Sequence, residues 1–404
     1  MQGTEPGSRP APHVLKIAPT PFFGDRGCHV RILEELRALE QRGYRVTVCT
    51  YPVGRDLEGV DVRRSLATPW VDSMPIGPSL HKFYLDPLLT WTVLRACLRD
   101  RPQIIHGHLH EGALIGAVVA ALCRVPLVAD LQGSLCGELL QHDFFRENGL
   151  LHRSFHALER WILGLPGALL VSSSRVLDGF ESLSHSPRRP VRVIHDGVDV
   201  ESFTPARPDE DLRGKLSLPT DRKIVGYLGV LNDYQGISVL LEAARLVLQE
   251  MPGVRFQLMG YPDVERYREE AARLGLTDDV IFTGRIPYDQ ARDYLAACDV
   301  GVSAKRAVTE ANGKLLNYMA VGIPVVATDT PINRDLLGDL GIYAEIDDPP
   351  SLAQALLRVL RDEELARELG DGLRRRAVEE VSWQVGGERI VEVYEQLLSS
   401  DTPP

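Results

Sequence analysis

Residues 300–327 read Val300-Gly-Val-Ser-Ala-Lys-Arg-Ala-Val-Thr-Glu-Ala-Asn-Gly-Lys-Leu-Leu-Asn-Tyr-Met-Ala-Val-Gly-Ile-Pro-Val-Val-Ala327. Val300-Gly-Val302 is a short apolar run of strand type. A polar, charged loop follows, Asn312-Gly313 opens a helix, and Val325-Val-Ala327 is a second apolar run. Strand, loop, helix and strand in this order form the repeating unit of a parallel sheet.

The same alternation extends in both directions. Upstream lie Ile224-Val-Gly-Tyr-Leu228, a helix over Ile237 to Glu250, Val254-Arg-Phe-Gln-Leu258 and Val280-Ile-Phe282. Before them, residues 199–221 are polar and hold Pro205, Pro208 and Pro219, a break in the pattern. Ahead of the break the rhythm recurs. Val14 to Ala18, Val46 to Thr50, Ile104 to His106, Leu127 to Ala129, Ala168 to Val171 and Val191 to Ile194 are short apolar runs. Between them are helical stretches such as His29 to Arg42, with Ile32, Leu33, Leu36 and Leu39 on one face and Gly43 as a stop. Downstream, residues 351–399 are helical, with Leu356, Leu357 and Leu360 sharing one face and Ile390, Val393, Tyr394 and Leu397 another. The expected fold is α/β, with two Rossmann-like, doubly wound parallel-sheet domains facing a central cleft. The expected divisions are a disordered tail over 1–12, a first domain over 13–200, a second over 201–382, and a terminal helix over 383–404. In such sheets ligands bind beyond the carboxyl ends of the strands.

Composition narrows the function. The chain has 404 residues and a net charge of −11, which disfavours nucleic acid as a partner. Its six cysteines show no CxxC spacing and read as small core residues. No GxGxxG follows either first strand and no GxxxxGK[ST] occurs, which argues against a dinucleotide dehydrogenase and a P-loop NTPase. No cofactor is expected. The polar start, Met1 to Pro12, lacks the apolar core of a signal peptide, and the longest apolar run, Gly112 to Cys123, is shorter than the ~20 residues a membrane span needs. The expected location is cytoplasmic. Basic and aromatic Arg153 to Leu163, with Phe155, Arg160 and Trp161, reads either as a helix packed on the first sheet or as a peripheral contact with the inner membrane face.

Three loops carry chemistry. Pro21 to His29 joins the first strand to the first helix. Gly24 and Gly27 let the backbone approach a ligand, and Asp25 and Arg26 add charge on what reads as the acceptor side. Ile105-His-Gly-His-Leu-His-Glu111 ends a strand. Its three alternating histidines would face one side as metal ligands do, or straddle the strand end with one packed and one facing the cleft. The second reading makes His108, His110 and Glu111 site residues and expects no metal. In residues 303–320, the N–H groups near Gly313, Lys314 and Leu315 form an anion cradle at a helix start, beside Asn312, with Lys314 and Lys305 adding charge.

Together with the turn Ile194-His-Asp-Gly-Val-Asp199 and its Phe203 and Pro205, these segments resemble the retaining GT-B glycosyltransferases of family 4. That family carries I-x-N-G-V-D…F-x-P, and Leu315 to Ala327 is similar to its L-L-E-A-M-A-x-G-x-P-V-V-A. Trp383 matches an aromatic position before the family's last helix, which usually crosses back to the N-terminal domain. The resemblance implies transfer of a sugar from a nucleotide-sugar donor to a glycan, lipid-linked or small-molecule acceptor, with retention and without metal. Five positions depart from the family. Its two glutamates align with Thr309 and Asn317; Glu310 is placed to orient sugar hydroxyls instead, and Asn317 to bond a ribose. Its arginine and lysine after the first strand of the second domain align with Val230 and Gln235. Its sugar-contacting histidine aligns with Gln132. These departures suit either a rebuilt site or a catalytically degenerate binding subunit. A nucleotide-sugar epimerase-like enzyme is a further alternative.

Overall fold

The computed structural model describes residues 11–24, 27–67, 81–136, 149–172, 189–205, 210–287, 290–306 and 312–399. Asp25, Arg26, Thr309 and Glu310 lie outside the described residues. The chain divides into two compact units, residues 1–195 with 384–404, and residues 196–383.

The first unit is built on seven parallel strands: β1 (His13–Ala18), β2 (Arg45–Thr50), β3 (Asp61–Arg64), β4 (Ile104–His108), β5 (Leu127–Leu131), β6 (Ala168–Val171) and β7 (Val191–Val193), in the order 3-2-1-4-5-6-7. Helices α1 (Gly27–Gln41), α2 (Lys82–Asp100), α3 (Leu109–Cys123) and α4 (Leu150–Leu163) cover its faces. A parallel sheet buried on both faces needs apolar side chains at every position, and β5 and β6 are fully buried. Leu85, Leu89 and Val93 of α2 and Ile115 and Val119 of α3 pack with Leu15 and Ile17 of β1 on one side. Ile162 and Leu163 of α4 continue that layer against Leu131 and Val171.

The second unit repeats the plan with six parallel strands: β8 (Lys223–Leu228), β9 (Val254–Met259), β10 (Val280–Gly284), β11 (Val300–Ser303), β12 (Val325–Thr328) and β13 (Gly341–Ala344), in the order 10-9-8-11-12-13. Its helices are α5 (Glu210–Lys215), α6 (Ile237–Glu250), α7 (Val264–Arg273), α8 (Ala291–Ala296), α9 (Gly313–Val321), α10 (Pro331–Leu337), α11 (Pro349–Arg361) and α12 (Glu363–Glu380). The last helix, α13 (Trp383–Ser399), places Ile390, Val393 and Tyr394 in the core of the first unit. There they join Ile32, Leu36 and Leu39 of α1 and Val14 and Val46 of the sheet. Trp383, at its start, lies instead on Gly197 of the second unit. A Cβ at Gly197 would come within 2.6 Å of the indole, so the glycine of the 194–199 turn is required by packing.

In both sheets the strand order reverses direction beside the first strand, between β1 and β4 and between β8 and β11. Loops leaving two such neighbours diverge and open a crevice at the strands' carboxyl ends. The segments after β1 and β4 therefore form the candidate site of the first unit, and those after β8 and β11 that of the second.

Candidate functional site

In the second unit, Lys314 lies in the first turn of α9, where the leading N–H groups have no acceptor within the helix. Its Nζ donates to Gln235 Oε1 at 2.5 Å and to Tyr227 Oη at 3.2 Å, and sits 4.4 Å from the centroid of the Tyr227 ring. The partners are neutral. Burial, reinforced by the nearby Lys305, pushes the Lys314 amine well below the usual lysine range. Lys305 is itself buried at the end of β11, its ammonium 5.7 Å from the centroid of the Tyr234 ring. Two lysine side chains thus converge at the carboxyl ends of β8 and β11, and neither aromatic ring supplies a full negative charge.

Gly229, immediately after β8, makes this possible. Its φ is +145°, and a Cβ there would stand 3.0 Å from Lys314 Cε and 3.2 Å from Nζ. Gly229→Ala combines backbone strain with a push on the lysine. We expect it to weaken binding of a nucleoside diphosphate by about tenfold, or ~1.4 kcal/mol. Titration calorimetry reads the change, and an unaltered far-ultraviolet spectrum excludes misfolding.

Two residues expected in the anion cradle are otherwise engaged. The Leu315 N–H donates to Asn312 O at 3.0 Å and its side chain is buried in the core, so it offers nothing to a ligand. The Asn312 amide is buried and donates to Ser303 Oγ at 3.1 Å and Asn333 Oδ1 at 2.9 Å. Asn333 in turn donates to Thr328 O at 2.8 Å. Asn312 therefore ties the start of α9 to β11 and β12. Gly313 is exposed and Asn317 half-buried, which leaves both accessible.

In the first unit the strand ends converge on a buried charge network. Lys16 of β1 donates to Glu35 of α1 at 2.7 Å and lies 3.3 Å from His108 Nε2. Arg31 of α1 grips Asp130 of β5 through two 2.9 Å bonds, stands 3.0 Å from Glu35, and donates to Ile194 O at 3.0 Å. His108 Nδ1 lies 3.0 Å from Asp130, the His106 ring stacks on His108 at 4.6 Å, and His106 Nδ1 bonds the Tyr394 hydroxyl at 2.6 Å. Burial alone would raise Asp130, but Arg31 and His108 outweigh it and hold the carboxyl well below its ordinary range. Burial drives both histidines down, with Lys16 adding to the effect.

Glu35, His106, His108 and Asp130 have the donor types of a metal site, their ligating atoms within 4.8 Å of one another. Lys16 and Arg31 already supply two positive charges to the two carboxylates, so the donor set is matched without an ion. Within the network His108, which the sequence reading set on the acceptor side, is fully buried between Lys16 and Asp130 and joins β4 to β5. Glu111, read as acceptor-side, is half-buried and pairs with Lys82 of α2 at 2.5 Å.

His110 and Gln132 lie at the rim of this network. His110 Nε2 stands 3.3 Å from Glu159 Oε1. Glu159, buried on α4, also accepts the N–H groups of Leu135 at 2.7 Å and Cys136 at 3.0 Å, and the Ser134 hydroxyl at 3.2 Å. One carboxylate thus fixes the segment after β5 and orients the histidine after β4. The Gln132 carbonyl accepts from Ser172 Oγ at 3.2 Å, whereas its side-chain Nε2 is buried and has no hydrogen-bond partner among the described residues. At the other strand end, Gly27 is exposed at the start of α1, and the Gly24 N–H donates to His29 Nδ1 at 2.8 Å.

Burial alone would raise Glu159, but the His110 ring and the two backbone N–H groups hold it at about 2 against an ordinary 4.5. A depressed carboxyl contributes stability above its unfolded pKa and loses it as pH falls through the folded value. We expect Glu159→Gln to forfeit roughly 3 kcal/mol at neutral pH. The gap in melting temperature between variant and wild type should close as pH falls from about 4.5 toward 2.

Comparison with known proteins agrees with this fold. Residues 26–202 match the model of Glycosyltransferase Family 4, and residues 222–362 that of Glycosyl transferases group 1. The chain is 31% identical to a 2-deoxystreptamine N-acetyl-D-glucosaminyltransferase of Streptomyces fradiae, over 80% of this chain and 79% of the relative. It is 26% identical to a D-inositol 3-phosphate glycosyltransferase of Thermobispora bispora, over 94% and 92%. Among solved structures, sucrose-phosphate synthase from Thermosynechococcus elongatus superposes with a TM-score of 0.79 at 22% identity, covering 96% of this chain and 100% of that one. Anabaena HepE in complex with UDP and glucose superposes with a TM-score of 0.73 at 18% identity, covering 95% and 99%. Two doubly wound sheets, a helix start with a lysine at one switch point, and these matches across both units lead to one assignment: the chain belongs to the group 1, family 4 glycosyltransferases of the GT-B fold.

Proposed function

We propose that the protein transfers a sugar from a nucleotide diphosphate donor with retention at the anomeric carbon, and that Lys314 carries the charge which most of the family places after β8. The observation that carries this reading is the 2.5 Å approach of Lys314 Nζ to Gln235 Oε1. Gln235 stands where the family pattern has a lysine; here the amine arrives at the same point from α9. The donor diphosphate accepts the free N–H groups of Gly313 and Lys314, and Lys305 adds the second charge. Asn317 bonds the ribose, and Glu310 orients sugar hydroxyls.

In the transfer, the bond from the anomeric carbon to the diphosphate oxygen breaks and a bond to an acceptor oxygen forms on the same face. The acceptor hydroxyl proton passes to the departing diphosphate. Negative charge grows on the leaving oxygen, and fixed N–H groups and ammonium groups at that point stabilise it without further reorganisation. These cations take the part that a metal ion plays elsewhere.

For the first unit we propose that Gln132 donates to the transferred sugar and that His110, oriented by Glu159, adjoins it. The unpartnered Gln132 amide supports this, since a buried donor left unsatisfied costs free energy until a ligand meets it. Gly27, at the start of α1, serves the donor diphosphate, and Asp25 and Arg26 lie on the acceptor side. Two relatives carry cyclitol acceptors in their names, 2-deoxystreptamine and D-inositol 3-phosphate, which favours a polyhydroxylated acceptor.

The test is incubation with a panel of nucleotide sugars and polyol or glycan acceptors, with nuclear magnetic resonance of the product. An α-linked product from an α-linked donor sustains the reading. Nucleotide binding without turnover on any acceptor would support a binding subunit, and an epimerised donor without acceptor would support the epimerase alternative.

A further inference from the structure

The outer surface of the α2–α3–α4 layer is unusual for a soluble domain. These helices lie side by side on one face of the first sheet. Of the sixteen large hydrophobic side chains exposed among the described residues, nine belong to these three helices. On α2, Phe83, Trp91 and Leu98 are 81%, 54% and 64% exposed. They follow one row of the helix with Pro87 and Arg95, spaced three to four residues apart. On α3, Val118 and Leu122 are exposed one turn apart, and on α4 Leu151, Leu158 and Trp161 form a third row. Each helix buries its other face in the core, so among the described residues nothing in the unit's own packing accounts for the outward apolar rows.

Charge on this layer runs against the rest of the chain. The protein carries −11 overall, yet the exposed ionisable residues of the three helices and their carboxyl caps are Arg95, Arg99, Arg101, Arg124, Arg153 and Arg160. The layer's carboxylates are withdrawn: Glu159 is buried, and Glu111, Asp86 and Asp100 are each bonded to Lys82, Tyr51 and Arg63. Among the described residues Arg95, Arg124, Arg153 and Arg160 have no ion pair.

We propose that this layer is a docking face for an anionic phospholipid bilayer. Aromatic and aliphatic side chains spread singly over three helices would enter the headgroup region, and the interleaved arginines would keep their guanidinium groups at phosphate level. A second copy of the chain fits less well, because a two-fold contact would set the same arginine-bearing patch against itself. Nucleic acid would leave the aliphatic rows in water. The inference stands on surface chemistry alone and does not depend on how the donor is held.

Flotation of the full chain with vesicles tests it. Vesicles of phosphatidylcholine with about one third phosphatidylglycerol are expected to carry the protein, vesicles of phosphatidylcholine alone to carry little, and 0.5 M salt to weaken the binding. Arg95→Glu with Arg153→Glu, and separately Trp91→Glu with Trp161→Glu, are each expected to lower partitioning at least tenfold. Transfer to a water-soluble acceptor should remain at its wild-type rate, because all four side chains are solvent-exposed and outside the donor site. Equal recovery of wild type and both variants with anionic vesicles would overturn the proposal. So would a wild-type dimer, seen by light scattering, that the tryptophan variants dissociate and that never floats.

Discussion

We expect Lys314→Ala to lower kcat/KM for the nucleotide sugar by roughly 100- to 1,000-fold, corresponding to the ~2.7–4 kcal/mol that a lost transition-state donor costs. The amine is held by an amide and a phenol, with a second lysine nearby and, among the described residues, no carboxylate contributing to its charge balance. A bound diphosphate would supply that balance and raise the lysine pKa, so the complex holds more protons than the free protein. Affinity for a nucleoside diphosphate should therefore rise as pH falls through the window between the lowered free value and the higher bound one. The exchange variant Gln235→Lys/Lys314→Gln returns the charge to the same point from the other side. It should recover about tenfold over Lys314→Gln alone, measured as kcat/KM. Wild-type kcat/KM in Lys314→Ala would sink the diphosphate assignment.

The second large effect concerns stability. Arg31→Met removes two bonds to Asp130, one contact with Glu35 and a bond to the carbonyl of Ile194, leaving a carboxylate uncompensated in a site with no exposure. Breaking a buried pair in this way costs about 3–5 kcal/mol. For a unit of this size that is a fall in melting temperature on the order of 10 °C. Arg31→Met/Asp130→Asn removes the stranded charge as well and should regain a large part of the loss. Chemical denaturation of the three proteins decides the matter: a double variant no more stable than the single one would mean that Asp130 is not the group left exposed to the low dielectric.

The strands of both sheets were legible in the sequence because buried parallel strands are continuous apolar runs. Leu127 to Ala129 and Ala168 to Val171 show no alternation and few polar residues, and they lie where the runs predicted. The two strands that sequence reading missed are edge strands. In β3, Asp61-Val-Arg-Arg64, an edge position frees one side and lets charged residues in. In β13, Gly341-Ile-Tyr-Ala344, the run is too short to stand out. The charge network was hidden for a different reason. Arg31, Glu34 and Glu35 alternate with Ile32, Leu33 and Leu36 along α1 and look like the solvated side of an amphipathic helix, yet all are buried. The partners of Glu35 and Arg31, Lys16 and Asp130, lie 19 and 99 residues away in the chain, and no local pattern signals such pairing. The alternation of His106 and His108 did place both rings on one side, where they stack; His110 has already turned into α3 and meets Glu159. The approach of Lys314 to Gln235 is likewise readable only once α9 and the segment after β8 are set side by side.

Residues 384–404 belong to the first unit, while residues 196–383 form the second without a break. Ile390, Val393 and Tyr394, whose hydroxyl meets His106, leave the ribosome only after the whole of the second unit. Order of synthesis is thereby uncoupled from order of completion. The unit made first waits, its α1 face uncovered, until α13 emerges, and the unit made second has all of its residues available earlier. A nascent chain arrested before residue 384 would carry every residue of the second unit and a first unit still open to chaperones and proteases.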